Sequence, residues 1–376
     1  MLTPRENLLK ALRHDQPEWI PVTGHVDPYN QPHRRGMDPR LAKAMGTVGW
    51  GDGSTLAFSR YLALDVADFM GSPLTSRWRR ISWETVTQGD DTITLCKTPK
   101  GEMRQVSRRV REDGTSYFVE HFVKGAEDLP RLVSMFEDEE IGLDPAGVEA
   151  VRARKRQIGD EGILRTYMPS TPLGMMIRAY AGVEATAFLW ADCRTELKTL
   201  FAVMEENYRQ KYGLTASLDF DALFCTDDTS TTTISPTMFE EFCVGFTDRI
   251  AAAVHEYGKL YVHHSCGLIR DLLPLYRQTA MDVVDAVTTK PIGNVTISQT
   301  KAGLDPEISF IAGLGQLCGN MDNRREVEED LARMFEEAAP GDGTVFCLAA
   351  YPNRDMEQTS FVREVCKKHQ RMYAGR

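Results

Sequence analysis

The chain has no apolar run approaching the ~20 residues that a membrane-spanning helix requires, so a bilayer is not an expected surrounding. Its opening, Met1-Leu2-Thr3-Pro4-Arg5-Glu6-Asn7, lacks the basic and apolar regions of a signal peptide, and the expected location is cytoplasmic. Basic charge is scarce as well: 54 acidic against 44 basic residues leave a formal net charge of −10 over 376 residues. The basic runs Arg34-Arg35 and Arg108-Arg109-Val110-Arg111 are short and read as solvated surface. Nucleic acid is thereby excluded as the main partner, because phosphate binding needs a concentrated basic surface. Internal repeats and low-complexity tracts are missing, which excludes a solenoid. The eight cysteines, at 96, 193, 225, 243, 266, 318, 347 and 366, are scattered instead of clustered, so reduced thiols are expected and a disulfide scaffold is not.

With 42% hydrophobic and 26% charged residues the chain can bury a large core. Short apolar runs alternate with amphipathic helical stretches. The runs Trp19–Val22, Gly162–Tyr167, Ala222–Thr226, Lys259–His263, Asp282–Val287, Ser309–Gly313 and Thr344–Ala349 read as strands. Several stop at residues with chemistry: His25 and Asp27, Tyr167, Asp227 and Asp228, His264 and Cys266, and Asp285. That rhythm predicts an α/β fold, a (β/α)8 TIM-type barrel whose strand ends carry the active site. Ser235-Pro236 supplies a cap and a first-turn proline for a helix running to Gly258, and Arg324–Glu337 forms another before the turn Pro340-Gly341-Asp342-Gly343. From 77 to 123 the rhythm breaks. Thr92–Cys96, the turn Pro99-Lys100-Gly101, Gln105–Ser107 and Ser116–His121 predict antiparallel hairpins, a small β insertion in a single domain spanning 1–376.

The segment Lys259-Leu260-Tyr261-Val262-His263-His264-Ser265-Cys266-Gly267 carries the most chemistry. Residues two apart on a strand face the same side, so His264 and Cys266 can present a nitrogen and a sulfur together. Such a pair suits a soft divalent ion, zinc above all. Adjacent Asp227 and Asp228 point in different directions: one faces the pocket as an acid or base or holds a substrate, the other caps the next loop. Asp228 is read as the pocket residue, Tyr167 as a second catalytic candidate, and His25, Asp27 and Asp227 as substrate contacts. Glu120 and His121 are further candidates.

The opening Leu2–Leu12 with Asp15–Val22, the run Ile234–Phe242, and His264-Ser265-Cys266-Gly267 followed by Ile269–Leu273 resemble the uroporphyrinogen decarboxylase-like superfamily, in order and over nearly the whole chain. The decarboxylases of that superfamily carry Arg-Gln-Ala-Gly-Arg-Tyr after the first strand, where this chain reads His25–Gly36. The insertion segments Thr98–Glu102 and Val123–Leu129 look more like the corrinoid-dependent methyltransferase branch. In its thiol-methylating members, a His-x-Cys pair and a later cysteine hold zinc; the resemblance therefore implies His264, Cys266 and Cys347, which follows Cys266 by 81 residues. The relatives place that cysteine after a Pro-Gly, whereas Ala349-Ala350-Tyr351-Pro352 stands here, so Cys318 and Asp285 stay open as third ligands, Asp285 also as a support for His264.

The resemblance implies methyl transfer between a small molecule of methoxy, methylamine, thiol or folate type and a corrinoid such as methylcobalamin. The corrinoid would come on a partner protein, since no Asp-x-His-x-x-Gly cobalamin motif is present. A homodimer is the family-based expectation. Two other classes are carried: a metal-free decarboxylase or lyase using Arg165 or Arg178 with Asp228, and a non-catalytic binding protein on the same barrel.

Overall fold

The computed structural model describes residues 1–26, 54–111, 115–314, 323–350 and 356–373. The chain lays down β1 (Val22–Val26) and β2 (Val66–Phe69), then makes an excursion through β3 (Leu74–Trp78), β4 (Ser82–Gln88), β5 (Asp91–Thr98), β6 (Gly101–Arg109), β7 (Ser116–Glu120) and β8 (Glu139–Leu143). It returns with β9 (Gly162–Met168), β10 (Ala222–Cys225), β11 (Leu260–His264), β12 (Val283–Val287), β13 (Ser309–Gly313) and β14 (Thr344–Ala350). Eight strands pair in parallel in the order β1, β14, β13, β12, β11, β10, β9, β2. The two ends meet through a parallel bridge between Thr23 and Asp65, where the Asp65 amide donates to the Val22 carbonyl at 2.9 Å. With helices between the strands, this is a nearly closed (β/α)8 TIM-type barrel, as the strand rhythm predicts.

Strand period puts alternate residues inside. Ala67, Phe69, Ile163, Ala222, Phe224, Leu260, Val262, Val283, Ile311 and Val345 form one buried cluster, with Tyr167 and Cys347 packed on it. The helix Pro4–Leu12 adds Leu8, Ala11 and Leu12 to the same cluster. That helix starts at a complete capping box, Thr3 with Glu6, and a first-turn proline. The Ala11 carbonyl accepts from the Gly343 amide at 3.0 Å and the Ser309 hydroxyl at 3.2 Å, both at strand starts. The helix therefore plugs the barrel's N-terminal end and leaves the C-terminal end for chemistry.

Two strands differ from the sequence expectation. The first begins at Val22, not Trp19: Pro21 has no N–H to give a ladder, and the Trp19 indole is turned aside to donate to Asp65 at 3.0 Å. β2 was not anticipated, because it is four residues long and interrupted by Asp68, a buried carboxylate that Arg154 pairs at 2.8 Å. The hairpin expectation holds: β4, β5, β6 and β7 form an antiparallel sheet, while β3 and β8 pair separately. Gly101, at φ 129, makes the β5–β6 turn where a side chain would be strained. Gln105 of β6 donates to the Ala179 carbonyl at 2.7 Å and the Val123 amide to Tyr180 at 2.8 Å, so this sheet braces the turn Met176–Tyr180.

Among the described residues, no helix is long and apolar enough to cross a membrane.

Candidate active site at the C-terminal mouth

Neighbouring residues on a strand face opposite sides, and at the end of β11 this splits two histidines. His263 is fully buried and donates toward the Thr229 hydroxyl at 2.8 Å; Thr229 in turn donates to Asp227 at 3.1 Å. Burial, with the nearby His264 charge, lowers the His263 pKa to about 3, so this ring is neutral wall. His264 faces the interior. Its Nε2 donates to Asp228 Oδ1 at 3.0 Å. Burial opposes its charge, but the hydrogen bond to Asp228 and the nearby Cys266 sulfur, with the Asp285 and Asp228 charges, outweigh it and raise the pKa to about 10. The other ring nitrogen, Nδ1, is buried with no hydrogen-bond partner. Cys266 sits just past the strand between buried Ser265 and Gly267, whose φ of 98 turns the chain sharply.

Asp227 and Asp228 part in the same way. Asp227 is buried and accepts from the Thr171 amide at 3.0 Å, the Thr171 hydroxyl at 2.9 Å and Thr229. Burial raises its carboxyl to about 7 against those bonds. Its oxygens are committed to the wall. Asp228 adopts φ 37, on the left-handed side that non-glycine residues hold uncommonly and aspartate more readily than most. Its side chain is half-exposed between His264 and Arg178, whose Nε stands 3.5 Å away. Burial works against its charge, yet the His264 and Arg178 cations hold the carboxyl below its ordinary range. Arg178 also donates to the Ser170 hydroxyl at 2.8 Å and to the Thr226 carbonyl.

The rest of the mouth comes from strands across the barrel. Asp285 of β12 is the register partner of His264, and the β12–β13 register slips between Asp285 and Val287, an irregularity of the kind that re-aims side chains at barrel rims. Burial raises the Asp285 carboxyl, with His264 and Arg165 pulling the other way. Cys347 of β14 lies beside Thr23 of β1 and Gly313 of β13; burial and the Asp285 charge push its thiol up to about 12. His25, its pKa lowered to about 3 by burial and by the Arg165 and His264 charges, is neutral and meets Phe69 edge-on at 5.5 Å. Tyr167 stacks on Phe69 at 4.1 Å and meets Phe224 edge-on, which adjoins His264 at 5.3 Å.

Of the residues singled out from sequence, His25, Tyr167, Asp228, His264, Cys266, Asp285 and Cys347 come to this mouth, and Asp227 lies behind it. Asp27 and Cys318 lie outside the described residues. Glu120 pairs with Arg104 and Lys124 on the insertion, and His121 approaches the Ala179 carbonyl at 3.3 Å there, away from the barrel interior. No motif in the sequence marks Phe69 and Phe224, and Arg165 enters from sequence only through the metal-free alternative. Period two along β9 was the available signal for Arg165, since it shares the face of Ile163 and Tyr167.

Among the described residues, no three His, Cys, Asp or Glu side chains stand close enough to make a metal-ligand set. The donor chemistry nonetheless fits zinc at two positions. His264 offers a buried nitrogen without a partner, and the Cys266 sulfur adjoins the same ring.

A parallel barrel with histidine, thiol, carboxylate and arginine side chains gathered at its C-terminal mouth defines a class of TIM-barrel proteins whose site lies at the strand ends. The uroporphyrinogen decarboxylase (URO-D) family profile matches residues 103–369, and the chain belongs to that family. No curated protein sequence matches it. Among solved structures, a methyltransferase from Methanosarcina mazei superposes with a TM-score of 0.64 at 13% identity, covering 98% of this chain and 99% of that one. A B12-independent methionine synthase from Shewanella sp. W3-18-1, in complex with selenomethionine, gives a TM-score of 0.46 at 9% identity over 83% of each chain.

Proposed function

We propose that this protein is an enzyme that moves a methyl group between a small molecule and a corrinoid carried on a partner protein, with zinc bound at the barrel mouth. The observation that carries the reading is His264, which turns a buried, unpartnered nitrogen inward beside Cys266 at a strand end. The methyltransferase from Methanosarcina mazei, aligned over almost the full length of both chains, supports it.

His264 and Cys266 would hold the ion with a third donor drawn from Cys347, Asp285 or Cys318. Bound zinc supplies Lewis acidity, lowering the pKa of a thiol or polarising a methyl-bearing oxygen. The chain's own groups do the rest. Asp228, ionised and hydrogen-bonded to Nε2, orients the His264 ring and leaves Nδ1 for the ion, which would displace the proton that the raised pKa keeps there. Tyr167 stands at the rim as the candidate proton donor or acceptor for the departing group. Phe69, Tyr167 and Phe224 form an aromatic wall that excludes water from one side of the reacting centre. Asp227, through Thr171 and Thr229, fixes the backbone that aims Asp228.

Metal analysis by mass spectrometry of wild type beside Cys266→Ala, Cys347→Ala and Asp285→Asn tests this. Near-stoichiometric zinc, lost in Cys266→Ala and in whichever of the other two removes the third donor, or in neither of them where Cys318 supplies it, is the expected result, followed by demethylation of methylcobalamin in the presence of an acceptor. Absence of zinc from freshly prepared wild type would overturn it. The second reading, a metal-free carboxy-lyase, is favoured by Arg165 and the Arg178–Asp228 pair at the same mouth; it predicts turnover that survives Cys266→Ala.

A further inference from the structure

Among the described residues Arg165 has no salt-bridge partner at the mouth, and the Asp285 carboxyl acts on it only at longer range. It springs from the middle of β9, is 2% exposed, and keeps its Nε buried with no hydrogen-bond acceptor. One terminal nitrogen donates to the Ala67 carbonyl at 2.9 Å, and the guanidinium lies 4.0 Å over the Phe69 ring. Tyr167 stacks on the same ring at 4.1 Å, which puts arginine and tyrosine on its opposite faces. The cation also reaches electrically across the barrel, depressing His25 on β1 and drawing Asp285 on β12 and Cys347 on β14 toward their charged forms. Two residues before Tyr167 on the same face of β9, and level with Phe69 of β2, it sits on the floor beneath the half-buried His25, Tyr167, His264 and Cys347.

Burying an arginine without a counter-charge in contact costs several kcal/mol, whereas other covered cations among the described residues of the barrel are matched. Arg154 has Asp68, and His264 has Asp228. In a chain of net charge −10, a cationic floor focuses the local field on anions.

We propose that Arg165 forms an anion subsite on the floor of the mouth, and that the substrate brings it a carboxylate on an apolar body seated against Tyr167, which the buried Phe69 and Phe224 back. The forked guanidinium suits a planar carboxylate, which it can grip with two parallel hydrogen bonds. The aromatic flank suits a ring or short hydrocarbon more than a hydrated sugar. This names the substrate class of the reading given above and rests on its placement of the active site at this mouth, though not on its metal.

Benzoate and its neutral counterpart benzamide are the probes, titrated calorimetrically into wild type, Arg165→Met, Arg165→Lys and Cys266→Ala. Charge-assisted hydrogen bonds are worth roughly tenfold to a hundredfold in affinity. Wild type is expected to prefer benzoate by at least about tenfold; Arg165→Met to lose the preference; Arg165→Lys, which keeps the charge without the fork, to retain part of it. Equal binding of the two probes, a preference that survives in Arg165→Met, or no benzoate binding to wild type at millimolar concentration would overturn the subsite. Should Arg165→Met not fold, the probe pair in wild type and Arg165→Lys still decide. A preference kept in Cys266→Ala upholds the subsite whatever becomes of zinc, while stoichiometric zinc with no preference refutes the subsite alone.

Discussion

At the scale of single residues, the mouth depends on side chains that must split to opposite sides of one backbone. Gly174 shows how tightly the wall behind it is built: a Cβ there would stand 1.8 Å from Asp227 Oδ1. Gly174→Ala should force Asp227 off Thr171 and leave a buried carboxyl under-bonded, a loss of about 2–3 kcal/mol. Urea unfolding reads this directly, and a loss below about 0.5 kcal/mol, the ordinary scatter of surface changes, would show that Asp227 has another place to go. In the sequence, His264 and Cys266 were legible because strand period alone puts them on one side. Asp227 was read as a substrate contact because its neighbour relation to Asp228 says only that the two diverge. Which of them meets solvent is set by Thr171 and Thr229, 56 and two residues away.

At the scale of elements, helices around the barrel are tied by charges that the interior does not use. Glu241, in the turn Glu240–Val244, accepts from the Trp190 indole at 3.0 Å and from Arg194 at 2.6 Å, with Lys198 at 3.0 Å. It thereby links the helices Gly182–Asp192 and Arg194–Ala216 to the helix Gly245–His255. The Arg194 hydrogen bond chiefly, with Trp190 and Lys198 and against burial, lowers its pKa from 4.5 to about 2. A carboxylate whose folded pKa is depressed stabilises the fold above its unfolded value and loses that contribution as pH falls through the folded one. Wild type should therefore exceed Glu241→Gln in thermal midpoint by a constant margin above pH 4.5, and the margin should shrink as pH falls toward 2. Parallel melting scans across that range check it; a margin indifferent to pH would mean the carboxylate charge contributes nothing. The helix from Pro236 was anticipated from its cap, and the Ser235 hydroxyl does accept from Met238 at 3.2 Å. Its widened turn at Glu240–Val244 was not, since nothing in a periodic apolar pattern marks where one extra residue is accommodated.

At the scale of the whole molecule, one carboxylate ties the plug to the barrel. Asp221 holds Arg5 of the N-terminal helix at 2.5 and 3.0 Å, pairs with Lys155 of the helix Pro145–Ile158, and accepts from the Leu164 amide at 2.8 Å. Burial works against its charge, but these partners hold it below its ordinary range. Asp221→Ala strands two largely covered cations and should cost about 3 kcal/mol, measured by urea unfolding with the change shared between sites on the plug helix and on β9. A cost of a few tenths would mean that Leu8, Ala11 and Leu12 hold the plug by apolar contact alone.

The sequence by itself determined the class of fold, the inserted hairpins and the His-x-Cys strand end. Each of these is written in local periodicity, in caps and turns, and in residues two apart, which one strand or helix displays without help from the rest of the chain. Only the tertiary structure decided that Asp285 stands beside His264, that Asp227 belongs to the wall, and that Arg165 lies with no ion-pair partner among the described residues under an aromatic flank. Those facts arise from closure: eight strands brought into register around one axis place side chains from β1, β9, β12 and β14 within electrostatic reach of each other. Sequence separation carries no trace of that proximity.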